Sequence, residues 1–269
     1  MNKKDLQERF GLSERQLSRI LVAQRKTEIK PLKIEAKSEY LFGAIGDTHL
    51  CSKEEKIREL HAFYRLCEER GVADVYHAGD LVAGQGVYPG QEYELKVFGA
   101  TNQVNYFAEN YPKIAGITTY FITGNHDMSY MKSVGLDIGT LIAERRTDMR
   151  YLGMLNGNVY MNGVKMIQLL HPDGGMPYAV SYRGQKIAEQ IASGAKPRVL
   201  LLGHLHVNVA MLYRNMAIYQ VGCFEGQTTL LLRKGINPVI GGYLIKLKIG
   251  PDKKHSLVGI VSEFVPFFK

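Results

Sequence analysis

Five of the eight histidines in this 269-residue chain keep company that a packed core does not give an imidazole. His49, His126, His171, His204 and His206 each follow an apolar run that reads as a β-strand, and each is accompanied in its segment by Gly, Asp, Asn or Pro. The segments are Gly46-Asp47-Thr48-His49, Gly79-Asp80, Gly124-Asn125-His126-Asp127, His171-Pro172 and Gly203-His204-Leu205-His206. Carboxylate, amide and imidazole donors on strand ends are what a site for two cations needs. The strands hold the donors rigidly, and the glycines permit a sharp turn off the sheet. In Asp47-Thr48-His49 and His204-Leu205-His206 an extended backbone would point the i and i+2 side chains the same way, so neighbouring donors would converge. An Asp-x-His or a Gly-Asp turn alone carries little meaning; the joint occurrence, in order and each after a strand, carries it. His61, mid-helix, and His77, ahead of the Gly-Asp turn, read as structural. His255, in a Lys-rich turn, reads as a surface residue.

The elements that must position these residues alternate as an α/β fold demands. Strands are expected at 41–45, 74–77, 118–122 and 199–202, and helices at 53–70, within 92–110, at 136–145 and at 185–192. Val159–Met161 and Val164–Leu170 flank Asn162-Gly163, a strong hairpin signal, so the second half also contains antiparallel strands. Late β-runs are expected at 209–221, 243–249 and 257–265. Residues 4–26 suggest two short helices around Gly11-Leu12-Ser13, with Ser13 as N-cap, in an order that resembles half of a helix-turn-helix. An amphipathic appendage or dimer arm is the plainer reading of the same pattern. Polar residues 27–38, with Pro31, read as a linker. The chain thus divides into a basic appendage and linker at 1–38 and one domain at 39–269.

These five segments, in this order, resemble the signature motifs of the calcineurin-like metallophosphoesterase superfamily, over residues 40 to about 225. The resemblance implies a four-layer αββα sandwich with two metals at the carboxyl ends of the strands. It further implies that Asp47, His49, Asp80 and His206 bind one metal and Asp80, Asn125, His171 and His204 the other, with Asp80 bridging. Two divalent cations against two ligand carboxylates leave the site at about +2, which suits a phosphate ester. Water held between them is deprotonated near neutral pH and attacks phosphorus in line. His126 is then expected as general acid on the leaving oxygen, with Asp127 orienting its imidazole and raising its pKa. With no cysteine among the ligands, Mn or Fe is expected, Zn, Ni and Co remaining open.

The residues after Asp80, Leu81-Val82-Ala83-Gly84, lack the Asp-Arg-Gly continuation of the family's protein phosphatases. The motifs look more like the branch of repair nucleases and phage or prokaryotic phosphodiesterases, so a phosphodiesterase acting on nucleic acid or nucleotides is expected. The alternatives are a phosphomonoesterase, or a DNA-binding protein that works through its basic leader with an esterase-like scaffold. The net charge of +8 suits an anionic partner such as DNA or RNA. Residues 1–40 hold ten Lys/Arg against six Asp/Glu, which is half of that excess. The Gly-rich aromatic loop at 83–93 is a candidate substrate lip, through Tyr88 or Tyr93. Cys51, Cys67 and Cys223 suggest neither disulfides nor a thiolate site. No run is apolar and long enough to cross a membrane, and the start of the chain lacks a signal-like h-region, so a cytoplasmic setting is expected.

Overall fold

Val199-Leu200-Leu201-Leu202 carries no polar side chain, so a strand made of it must be covered on both faces. That is how it is found. Val199 and Leu201 pack with Phe42, Tyr76 and Ile122 of another sheet. Leu200 and Leu202 pack with Ala188 of a helix on the outside.

The computed structural model describes residues 31–35, 38–251 and 256–268; the expected leader helices, Ser13 and His255 lie outside them. In chain order the elements are β1 (Leu32–Ile34), β2 (Glu39–Ile45), α1 (Ile57–Glu69), β3 (Asp74–His77), α2 (Ala100–Asn110), β4 (Thr118–Thr123), α3 (Met128–Val134), α4 (Ile138–Arg145) and β5 (Met149–Met154). There follow β6 (Asn156–Met161), β7 (Val164–Leu170), α5 (Tyr182–Gln190), β8 (Val199–Leu202), β9 (Asn208–Tyr213), β10 (Met216–Val221), α6 (Thr229–Arg233), β11 (Gly241–Ile249) and β12 (Leu257–Pro266).

Two six-stranded sheets, ordered β12-β11-β2-β3-β4-β5 and β1-β6-β7-β8-β10-β9, stack face to face. In the first, β2, β3, β4 and β5 run parallel, and β11 closes antiparallel on β2. In the second, β7, β8 and β10 are parallel. Period-2 alternation divides each strand's side chains between two cores: Val75 and Phe121 face α1, α2 and α4, while Tyr76 and Ile122 face the other sheet. On the helix side, Leu60, Phe63 and Tyr64 of α1 meet Val104 and Phe107 of α2 and Ile138 and Ile142 of α4. With α5 outside the second sheet, the layers are those of the expected αββα sandwich. The three cysteines are unpaired and buried. Among the described residues no helix is long and apolar enough to cross a membrane.

The departures from expectation have local causes. The helix expected from residue 53 starts at Ile57, because the amides of Lys53 and Lys56 donate to the distant carbonyls of Glu94 and Phe224. Within the segment read as linker, Leu32–Ile34 forms β1, parallel to β6. β5, α3 and α6 were not expected. α3 and α6 are only seven and five residues long, too short to show a helical period. The Asn162-Gly163 turn joins β6 to β7 antiparallel, both residues having positive φ as a two-residue hairpin of this type requires.

Phe121 has no solvent exposure and its ring stacks on Tyr151 at 5.3 Å. Phe121→Ala should destabilise the fold by about 3–5 kcal/mol. Urea unfolding measures this, and a loss under about 1 kcal/mol would contradict the two-sided burial of β4.

Candidate metal centre

All the singled-out segments leave the sheets at the carboxyl ends of strands: Asp47 follows β2, Asp80 β3, Asn125 β4, His171 β7 and His204 β8. Because parallel strands end together, these loops meet at one edge of the sandwich. The extended geometry expected for Asp47-Thr48-His49 and His204-Leu205-His206 is not what converges the donors. Asp47, His49, Asp80, His204 and His206 all have positive φ, from 41° to 82°. A left-handed residue reverses the chain locally, so each pair is brought together by a tight turn instead of by strand alternation. Asp and His enter this region more readily than most residues, yet each such conformation costs about 1 kcal/mol or more. Five in one site mean that the surrounding structure enforces them.

Backbone close approach does part of that enforcing. A Cβ on Gly79 would sit 2.5 Å from His171 Nδ1, and one on Gly124 would sit 2.2 Å from Asp80 Oδ1. Only glycine lets these loops pass behind the donors.

The donor atoms form three overlapping groups: Asp47, His49 and His206; His49, Asp80 and His126; Asp80, His171 and His204. Asp80 belongs to two of them, its Oδ2 lying 3.7 Å from His49 Nε2 and 3.2 Å from His171 Nε2. His49 Nε2 and His206 Nε2 are 3.1 Å apart. Asn125 Oδ1 is 3.0 Å from His171 Nε2 and 2.8 Å from His204 Nδ1. Two donors bound at about 2.1 Å and at right angles to one cation stand about 3 Å apart, so this spacing is that of a coordination shell. The donor set therefore fits two cations sharing the Asp80 carboxylate.

Outer partners fix two of the rings. His171 Nδ1 donates to the Ala78 carbonyl at 2.8 Å, and His204 Nε2 to the Gly174 carbonyl at 2.7 Å, each leaving the other nitrogen to face the site. The buried Nδ1 atoms of His49 and His206 have no partner among the described residues. Asp47 accepts the His204 amide at 2.9 Å, tying the first group to the third.

The charges of the donors by themselves conflict. Burial pushes Asp47 well above the ordinary carboxylate range, Asp80 adding to the effect. Burial acts on Asp80 in the same direction, but His171 and His126 beside it outweigh this and hold it well below. His171 is correspondingly raised to about 10, Asp80 overcoming its desolvation, whereas burial lowers His206 to about 3. Divalent cations would relieve each of these strains by pairing with every donor at once.

Residues 40–208 match the family described as calcineurin-like phosphoesterase. The chain belongs to that family. Among curated proteins it is 26% identical to a DNA polymerase II small subunit of Methanocaldococcus jannaschii, over 81% of this chain and 44% of that one. It is 24% identical to the DNA polymerase II small subunit of Methanothermobacter thermautotrophicus, over 77% and 52%. The chain thus spans about half the length of the curated relatives it matches. Among solved structures, one described as a novel archaeal phosphodiesterase aligns with 84% of this chain and 99% of its own at TM-score 0.46 and 14% identity. A zinc complex of Vps29 from Entamoeba histolytica aligns over 84% and 98%, at 0.40 and 13%.

For a phosphoesterase of this family the roles expected of His126 and Asp127 need separating. His126 stays at the site: its amide donates to Asp80 Oδ1 at 2.8 Å and its ring packs edge-on against His49 at 4.4 Å. Asp127 does not orient it. The Asp127 carboxylate accepts the amides of Leu81, Val82 and Gly124 at 2.8–3.1 Å, clamping the loop after β3 to the loop after β4. Its pKa is raised to about 7 by burial and by Asp80, against those amides. The Ala83 carbonyl takes the place expected for Asp127, accepting from His126 Nδ1 at 2.7 Å and leaving Nε2 for chemistry.

One residue at the site has no role assigned to it from the sequence, where Phe224-Glu225-Gly226 reads only as a segment of the rim. Glu225, in the turn after β10, is buried with Oε2 3.8 Å from His49 Nε2, and burial raises its carboxyl to about 8. Its only signal in the sequence is a Glu between Phe224 and Gly226 at the end of a β-run. His61 and His77 are structural as expected: His61 Nε2 donates to the Asn110 carbonyl at 2.9 Å, and His77 is paired with Thr48 at 3.1 Å.

Mn²⁺ at about one hundred times its dissociation constant should stabilise the folded chain by about 3 kcal/mol per site, read as a rise in Tm that EDTA reverses. Asp80→Asn should abolish most of that rise, and Gly79→Ala should weaken it by displacing His171. An unchanged Mn²⁺-dependent shift in Asp80→Asn would contradict the shared-carboxylate arrangement.

Proposed function

We propose that this protein is a divalent-metal-dependent phosphodiesterase acting on nucleic acid. The observation carrying the reading is the convergence of Asp47, His49, Asp80, Asn125, His171, His204 and His206 into overlapping groups of donors, two of which share Asp80. We infer that these seven hold two cations, Mn or Fe, since no thiolate is among the donors. When bound, such cations supply Lewis-acid polarisation of the phosphoryl oxygens and acidify a water for attack. The chain's own residues do the rest. His126, with Nδ1 committed to Ala83, offers Nε2 to protonate the departing alkoxide oxygen. Asp127 keeps the loops after β3 and β4 in register, so that Asp80, Asn125 and His126 keep their mutual geometry. Tyr88 lines the same cavity, its ring 6.2 Å from that of His126, and its hydroxyl is held by Glu94.

DNA is the favoured polymer, because the curated relatives are small subunits of DNA polymerases and the net charge is +8. The basic leader at 1–38 would raise affinity for a polyanion through counterion release. A cytoplasmic setting suits a chain whose three cysteines are unpaired. Truncation of residues 1–38 separates this reading from that of a DNA-binding protein with an esterase scaffold: hydrolysis of a small diester should survive. Cleavage of monoesters alone would favour a phosphomonoesterase.

The sharpest test uses leaving groups. His126→Ala should keep its metal content and lose about 10²–10⁴-fold in kcat on a dinucleoside monophosphate, whose alkoxide needs a proton. On bis(p-nitrophenyl) phosphate, whose phenolate leaves without one, the loss should be much smaller. Equal losses on both substrates, or none on the dinucleotide, would exclude His126 as the acid.

A further inference from the structure

The cavity over the metal centre does not end there. Its lining shares Gly174, Gly175, His204 and Lys234 with a neighbouring groove of about 630 Å³, which also takes in Asn125. The groove therefore leaves the site on the side of the group formed by Asp80, Asn125, His171 and His204. The lining of the cavity includes the apolar Leu230, Leu231 and Ile236 around and after α6. The groove is lined by Ser129, Lys132 and Ser133 of α3 and, like the cavity, by Lys234 just past α6.

Lys132 and Lys234 are both exposed, and neither ammonium has a hydrogen-bond or ion-pair partner among the described residues. They come from elements more than a hundred residues apart, yet face one groove. Asp173 is the single acidic side chain in that lining, so the two lysines leave it with an excess of positive charge. Unpaired ammoniums on a polar channel are arranged for an anion. Lys132 lines the groove and not the cavity that holds His49, Asp80 and His206, so the anion it meets lies beyond the one being cleaved.

We propose that Lys132 and Lys234 form a subsite for the phosphate next to the scissile one, which makes a single nucleic-acid strand, and not an isolated diester, the preferred substrate. This rests on the phosphodiesterase reading above and adds a specificity determinant to it. The strand passes from the metal centre past His204 and Lys234 into the groove, where the lysines contact its backbone and read no base.

The test compares a dinucleoside monophosphate, which offers only the scissile phosphate, with the corresponding trinucleoside diphosphate, in deoxy and ribo series, on the Mn²⁺-loaded full chain. The added phosphate should raise kcat/KM about tenfold or more, mainly through KM, in whichever sugar series the enzyme uses. Lys132→Ala/Lys234→Ala should reduce that gain to about twofold or less, Lys→Arg replacements at both positions should retain it, and the salt dependence of binding should fall by a slope of about one to two. A double variant that keeps the full gain, or a wild-type chain that shows none while cleaving both substrates, overturns the subsite. Absence of cleavage of either substrate by the wild type counts against the esterase reading alone. Fluorescence anisotropy of a labelled trinucleotide then decides the subsite: about tenfold weaker binding by the double variant supports it, and equal binding overturns it.

Discussion

The Asp80 carboxylate is the point through which the rest of the site is coupled. It is buried, belongs to two groups of donors, accepts the His126 amide, and stays ionised only because histidines press against it. Around it the same burial drives Asp47 and Glu225 toward neutrality and keeps protons off His49 and His206. An apolar interior does not tolerate so many ionisable groups at coordination spacing without an opposing charge. The fold meets this with left-handed turns at five donor residues and with glycines behind Asp80 and His171. The donor geometry is thus set by the fold itself.

The architecture was largely legible because its determinants are local. β3 and β8 have the expected limits, and the Asn162-Gly163 hairpin forms where its turn chemistry requires. Each donor was recognisable from its type and its position just past an apolar run. What the sequence did not reveal depends on contacts between distant segments. Asp127 reads as a partner for its neighbour His126, but adjacency in a turn does not aim two side chains at each other; the carboxylate instead finds three free amides on two loops. Glu225 enters the site only because the turn after β10 folds back against Glu55 and Lys56, a pairing no local pattern encodes. The donor turns themselves, read as extended, are left-handed, since Asp and His accept that conformation without announcing it as glycine does.

Motif and specificity occupy different parts of the molecule. The donors sit on strand ends that the sandwich holds rigid, as a centre of this kind requires. The walls of the cavity come from loops: the segment at 83–96, pinned by the buried amides of Gln91 and Gln103, and the turn around α6. Loops of this sort change without disturbing the core, so membership of the phosphoesterase family constrains the chemistry more than the substrate. The identity shared with polymerase small subunits reaches across most of this chain but about half of theirs.

The central claim is that two cations share one carboxylate. Its most direct measurement is anomalous diffraction at the manganese edge from Mn²⁺-loaded crystals, with electron paramagnetic resonance of the same material. The account predicts two peaks about 3.5–4 Å apart, both within bonding distance of Asp80, and a spin-coupled spectrum. A single peak, peaks too far apart for one carboxylate to reach, or the spectrum of isolated ions would contradict it.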